Sequence, residues 1–275
     1  MPTHSAEAQE ITPETDARNR INYSGRQRML TQQIARNACF VMADIEPERF
    51  AAKAETAAQQ FDTALVALRD GDAELGLLAE TNDEVLKDLE AVETLWSTLG
   101  PAVRQIAAGD LHSVPMLQMI RLNLQTLTEM HETVLLIQSV YGDGSIPANL
   151  ARTINLAGRQ RMLSQKASKE VCLYVLGISG GGGKIAEIDA TIGAFDRAMA
   201  ELLEGSKKQG ILAPPNRQIK KQLERTEKAW RMFKTLMIEF EKNPDLPAGE
   251  RVRLANLSDQ VLLEMDLAVR MYSEL

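Results

Sequence analysis

A chain of 275 residues has room for one large domain or for two of about 130 residues each. Its 44% hydrophobic content supplies buried cores, and 4% aromatics with abundant Ala, Leu, Glu, Gln and Met favour helices over strands. A formal net charge of −7 argues against a general nucleic-acid binder, which would carry a basic face.

The chain opens on a polar, acidic leader, read as flexible over residues 1–12, with no apolar stretch that would serve as a signal peptide. No segment approaches the ~18 apolar residues of a spanning helix, so membrane insertion is not expected. The protein is expected to be soluble, periplasmic if a signal was removed and cytoplasmic otherwise. Thr12-Pro13-Glu14 is a helix start, with Thr as cap and Pro in the first helical position. Helical pattern then runs to about Asp44, where Ile45-Glu46-Pro47 marks a turn. Breaks at Gly71-Asp72 and Gly109-Asp110 divide the remainder of the first half.

Gly142 to Ser145 is read as the junction of two halves, unless one helix continues across it. Ser145-Ile146-Pro147 opens the second half, and its first helix ends near Gly177, before the Gly180–Gly183 connection. Pro214-Pro215 and Asn243-Pro244 supply the later breaks. Phe61-Asp62 corresponds to Phe195-Asp196, Trp96 to Trp230 and Glu129-Met130 to Glu264-Met265. Four helical segments per half with short connections favour antiparallel neighbours. The predicted fold is all-α, two tandem antiparallel four-helix bundles related by a pseudo-two-fold axis: residues 13–143 and 144–275.

The two halves share one block almost verbatim. Residues 21–32 return as 154–165, 133 positions later, and both copies read Ile-Asn-x-x-Gly-Arg-Gln-Arg-Met-Leu-x-Gln. On a helix, Leu30, Ile34, Ala38 and Val41 form a core stripe. Gly25, Arg28, Gln32, Ala35 and Cys39 form a second stripe spaced 3-4-3-4, the seam of two helices packed lengthwise. Gly158, Arg161, Gln165, Ser168 and Cys172 repeat it. A glycine inside a helix costs about 1 kcal/mol relative to alanine. Gly25 and Gly158 therefore serve either close packing or backbone access for a ligand.

If the stripes pair in parallel, Arg28 meets Arg161. Two desolvated guanidinium groups repel unless an anion lies between them, and a planar oxyanion matches their parallel donors. The competing reading is that each arginine pairs with Glu or Asp, or is solvated.

The repeated block resembles the signature helix of the PilJ-type domain, the N-terminal sensor domain of type IV pilus methyl-accepting chemotaxis transducers. More distantly it is similar to the Asn-x-x-Gly-x-x-Arg-Met-x-Ser element of nitrate/nitrite-sensing histidine kinases. The resemblance implies four-helix sensor bundles that pair. Carried over by position, it implies that Arg28 and Arg161 hold nitrate or nitrite, with Gly25, Gly158, Asn22 and Asn155 beside the ligand. The chain departs from those relatives in carrying both copies in one polypeptide, and in having no transmembrane, coiled-coil, kinase or methyl-accepting region. A monomer with an internal pseudo-dimer is expected, reporting to an unidentified signalling protein.

Cys39 and Cys172 are also 133 apart, each 11 residues and about 16 Å beyond its arginine. They read as two buried thiols or as a disulfide and redox-sensitive pair. His4, His112 and His131 show no metal-ligand spacing, and the Gly180–Lys184 segment is not a phosphate-binding loop. No cofactor, metal or catalytic set is expected, so an enzyme has no support. Two functions stand: an oxyanion sensor, or a helical interaction module with no small-molecule ligand.

Overall fold

The computed structural model describes residues 11–142 and 146–275. Most of the leader, His4 and the junction residues 143–145 lie outside them. Among the described residues the chain is eight α-helices: α1 (Pro13–Met42), α2 (Pro47–Asp70), α3 (Asp83–Ala107), α4 (Ser113–Gly142), α5 (Ala148–Val175), α6 (Ile185–Glu204), α7 (Arg217–Lys242) and α8 (Ala248–Ser273). The only extended pairing among them is two isolated bridges, Asp72 with Leu77 and Ser206 with Ile211.

The helix ends follow from local chemistry and repeat between the halves. Thr12 caps α1 by accepting from the Thr15 amide at 3.2 Å, with Pro13 in the first turn. Asn82 and Asn216 cap α3 and α7 in the same way. α2 and α6 stop at Gly71 (φ 83°) and Gly205 (φ 76°), a left-handed region that side chains avoid. A Cβ there would also stand 2.6 Å from the Ala79 amide nitrogen and 2.7 Å from that of Ala213. Each glycine turns the chain into the small bridged loop before the next helix. α5 begins after Pro147, so the helix does not run through from α4.

In each half the helices alternate in direction, and the first helix packs against the other three. α1 and α5 also pack against each other along their length, while α4 touches α5 and α8 touches α1. The two signature helices are therefore the shared axis of both bundles. Burial reflects this: α1 buries 20 of its 30 residues, whereas α2, on the outside, buries 9 of 24. Both the core stripe and the seam stripe are hidden, the first within its own bundle and the second against the partner helix.

Matching anchors sit outside the axis. The Trp96 indole lies on Phe61 and donates to Asp62 at 2.6 Å. Trp230 stacks on Phe195 and donates to Asp196 at 2.7 Å. Each buried indole N–H thus finds a carboxylate one helix away, which is what a buried tryptophan needs.

Candidate functional site: an arginine pair in the seam

The repeated residues divide their labour. Gln27 donates to the Phe61 carbonyl at 2.8 Å and Gln160 to the Phe195 carbonyl at 2.9 Å, fixing the signature helices to α2 and α6. The hydroxyls of Thr31 and Ser164 turn back on the Arg28 and Arg161 carbonyls, both at 2.8 Å. Those residues are structural, and the seam is left to the asparagine, the glycine and the second arginine of the block.

α1 and α5 run parallel, and the seam brings all six sequence-predicted ligand residues together. Arg28 donates across it to the Asn155 side-chain oxygen at 2.6 Å and to the Asn155 carbonyl at 3.3 Å. Arg161 returns the contact to the Asn22 side chain at 3.1 Å and carbonyl at 3.3 Å. The glycines mark where the guanidinium groups converge. A Cβ at Gly25 would lie 3.6 Å from an Arg28 nitrogen and 3.8 Å from an Arg161 nitrogen. At Gly158 the corresponding distances are 3.5 and 3.9 Å, to Arg161 and Arg28. Both glycines leave room for the same two terminal nitrogens.

Both arginines are 1% exposed, so their charge is expensive to hold. Burial first, and then the charges of Arg159 and Arg161, push the Arg28 pKa down to about 9. Burial also lowers Arg161, but Asp266 opposes the shift by pairing with it at 2.9 Å. The position equivalent to Asp266 in the first half is His131, which faces Arg28 at 3.1 Å. Since a guanidinium only donates, His131 Nδ1 accepts and its proton sits on Nε2. Burial, followed by Arg28 and Arg159, lowers the His131 pKa. The Nε atoms of Arg28 and Arg161 are buried without a hydrogen-bond partner.

The seam is thus half compensated. The reading in which arginines pair with acids holds for Arg161 and Asp266, and Arg28 has neutral partners instead. His131 and Asp266 were missed by sequence reasoning because the offset between the halves has drifted to 135 by the last helix. The Glu129-Met130 and Glu264-Met265 correspondence carried the signal.

Further along the same seam Cys39 and Cys172 form a disulfide, with Cα atoms 6.2 Å apart, in place of two separate thiols. Between the arginines and the disulfide lie two buried basic residues at equivalent positions. Arg36 reaches Ser258 at 3.1 Å and Asp259 at 2.8 Å on α8, and Lys169 reaches Asn123 at 2.9 Å on α4. Each signature helix is tied to the last helix of the opposite half. Among the described residues no cluster of His, Cys, Asp and Glu suited to a metal ion occurs.

Tandem four-helix bundles whose first helices pair lengthwise around a polar seam define a class, the paired helical bundle. The chain belongs to the PilJ family, described as type IV pili methyl-accepting chemotaxis transducer N-term, which matches residues 14–120 and 148–252. One match falls in each half, so the signature helix is duplicated within a duplicated domain. That family is one of sensory and signalling domains and is not a known enzyme family. No curated protein matches the chain. No helix among the described residues is long and apolar enough to cross a membrane.

Proposed function

We propose that the chain is a sensory unit that holds a small oxyanion, nitrate or nitrite first, between Arg28 and Arg161. A partner protein, not identified, reads the resulting change in how α1 and α5 pack. The observation that carries this reading is the convergence of two buried guanidinium groups over Gly25 and Gly158, with only one of them neutralised by an acid. An oxyanion would supply the missing charge to Arg28 and accept in the plane of its donors. Asn22 and Asn155, already hydrogen-bonded to the arginines from the opposite helix, would position it.

The disulfide limits what such a change can be. It joins α1 to α5 at the Cys39 and Cys172 level, so one helix cannot slide freely past the other there. A ligand at the arginines would instead rotate or splay the seam toward the Asn22 and Asn155 end. Calorimetry with nitrate, nitrite, sulfate and chloride, on wild type and Arg28→Ala, tests the reading. One site per chain that Arg28→Ala removes is expected; binding that survives the substitution, or no binding at all, rejects it.

A second reading has one observation in its favour. Arg161 already has Asp266, and the seam is closed by reciprocal asparagine contacts, so the stripe can hold the halves together unaided. A helical interaction module of this kind would show no anion-dependent stabilisation.

A further inference from the structure

The two halves differ most in one groove. Between α4, α5 and α6 lies an open cleft of about 650 Å³. On α5, Arg152 and Arg159 occupy one face two turns apart, roughly 10 Å along the axis. Arg197 faces them from α6, and Arg28 with His131 closes the inner end. Among the described residues Glu201 is the single carboxylate in the lining, against four guanidinium groups. Arg152, Arg159 and Arg197 make no hydrogen bond or ion pair among the described residues, unlike the surface arginines 18, 49, 69 and 104. Leu135, Leu156 and Ile211 supply apolar wall between the charges.

The duplication provides an internal control. The corresponding surface of the first half holds, between α1 and α2, a groove of about 400 Å³ lined by Tyr23, Arg26 and Thr63, and on α8 the place of Leu135 is taken by Arg270, which pairs with Asp266 at 3.6 Å. There Asn19 takes the place of Arg152 and is used up on the Leu75 and Gly76 carbonyls, at 3.0 and 3.2 Å. Thr63 takes the place of Arg197, and Arg26, matching Arg159, donates to Gln60 at 3.2 Å. The first half folds with no arginine at the places of Arg152 and Arg197, and its own Arg26 and Arg270 each have a partner, so the unpaired arginines of the other half are not a requirement of folding. Arg152, Arg159 and Arg197 are exposed, so water screens their repulsion, but with Glu201 alone against them the cleft keeps an excess of positive charge that an anion would offset.

We infer that this cleft is a second ligand site, adjoining the seam at Arg28 and Asn155, which takes a small organic anion bearing two or more carboxylate or phosphate groups. A single oxyanion cannot span Arg152 and Arg159, two turns apart, whereas a ligand with separated anionic groups can meet both. The apolar wall fits a carbon scaffold, and the volume is that of a small-molecule site. Nucleic acid is disfavoured by a net charge of −7 for the chain as a whole. Arg28 borders both sites, so an occupied cleft would also draw on the guanidinium that serves the seam. The inference stands on the cleft's own arginines and needs no ligand in the seam.

The test is calorimetry at low ionic strength with citrate, succinate and fructose 1,6-bisphosphate on the full chain. Variants are Arg159→Gln, Arg197→Gln and, in the equivalent groove, Arg26→Gln. All three side chains lie at the surface of their grooves, and circular dichroism melts check that each variant folds. One probe is expected to bind the wild type at one site, at least tenfold more weakly in Arg159→Gln and Arg197→Gln, and within twofold in Arg26→Gln. Tighter citrate than fructose 1,6-bisphosphate assigns carboxylates to the site, and the reverse order assigns phosphate. Nitrate titrations of Arg197→Gln should match wild type, which separates failure of the cleft from failure of the seam. No binding of any probe by the wild type at millimolar concentration overturns the inference. So does an equal loss in Arg26→Gln.

Discussion

Arg28 and Arg161 stand at equivalent places in the repeat and face different company. Arg161 has Asp266 at 2.9 Å, and among the described residues Arg28 has only His131 and Asn155. Two predictions follow from that difference. Asp266→Asn removes the one carboxylate that neutralises the pair; it should lower the stability of the ligand-free protein by about 1–2 kcal/mol and tighten nitrate binding. Denaturant unfolding with and without nitrate measures both. The second concerns pH. An oxyanion binds the charged form of Arg28, whose pKa is held down at about 9. Affinity should therefore be flat between pH 7 and 8 and fall as pH rises through about 9, as calorimetry across that range would read out. At this scale the asparagine, glycine and arginine of the block were legible, because a helix places them on one face at fixed spacing. Their partners on α4 and α8 were not. An arginine's counter-charge comes from a helix about a hundred residues away, and local spacing carries nothing about it.

Among the elements, α1 and α5 carry most of the account. Their 3-4-3-4 stripe gave away a lengthwise parallel pairing, since small residues and a glycine on one face permit close approach. The equal spacing of Cys39 and Cys172 from their arginines put both sulfurs at one level. Spacing alone left the choice between thiols and a disulfide open, because the bond depends on a backbone separation that the sequence does not set; in the fold it is 6.2 Å. The bond closes a loop of 133 positions. Chain-entropy reasoning gives such a loop roughly 2–5 kcal/mol of stabilisation. Reduction, or Cys39→Ser with Cys172→Ser, should lower the melting temperature accordingly and make the protein more responsive to nitrate, since the helices would then be free to slide. Amide exchange along α1 and α5 would show that gain. The ties from Arg36 to α8 and from Lys169 to α4 were not legible. They cross between halves, and a wheel drawn for one helix cannot show which neighbour each face meets.

At the level of the whole molecule, duplication is the strongest statement in the sequence, and it specifies the tandem bundles without any secondary-structure refinement. Phe61 with Trp96 and Phe195 with Trp230 show how literally the plan is repeated. Duplication hides divergence, however. The basic cleft beside α5 is only partly matched beside α1, because Arg152 and Arg197 stand where the first half has Asn19 and Thr63, and isolated exposed arginines look like ordinary surface in one dimension. The same principle yields the most direct test of the seam. A methyl group at Gly25 and Gly158 meets the arginine nitrogens at 3.5–3.9 Å, ordinary contact that the fold accommodates, while it fills the space an anion would use. Replacing both glycines by alanine should by itself stabilise the helices, by about 1 kcal/mol per site. The deciding measurement is thermal unfolding of wild type and the double Gly25→Ala, Gly158→Ala variant, each with nitrate and with chloride. Nitrate at 100 times its dissociation constant should stabilise the wild type by about 2.7 kcal/mol and leave the variant unmoved. A wild type indifferent to nitrate, or a variant stabilised as much as the wild type, would contradict an anion held between Arg28 and Arg161.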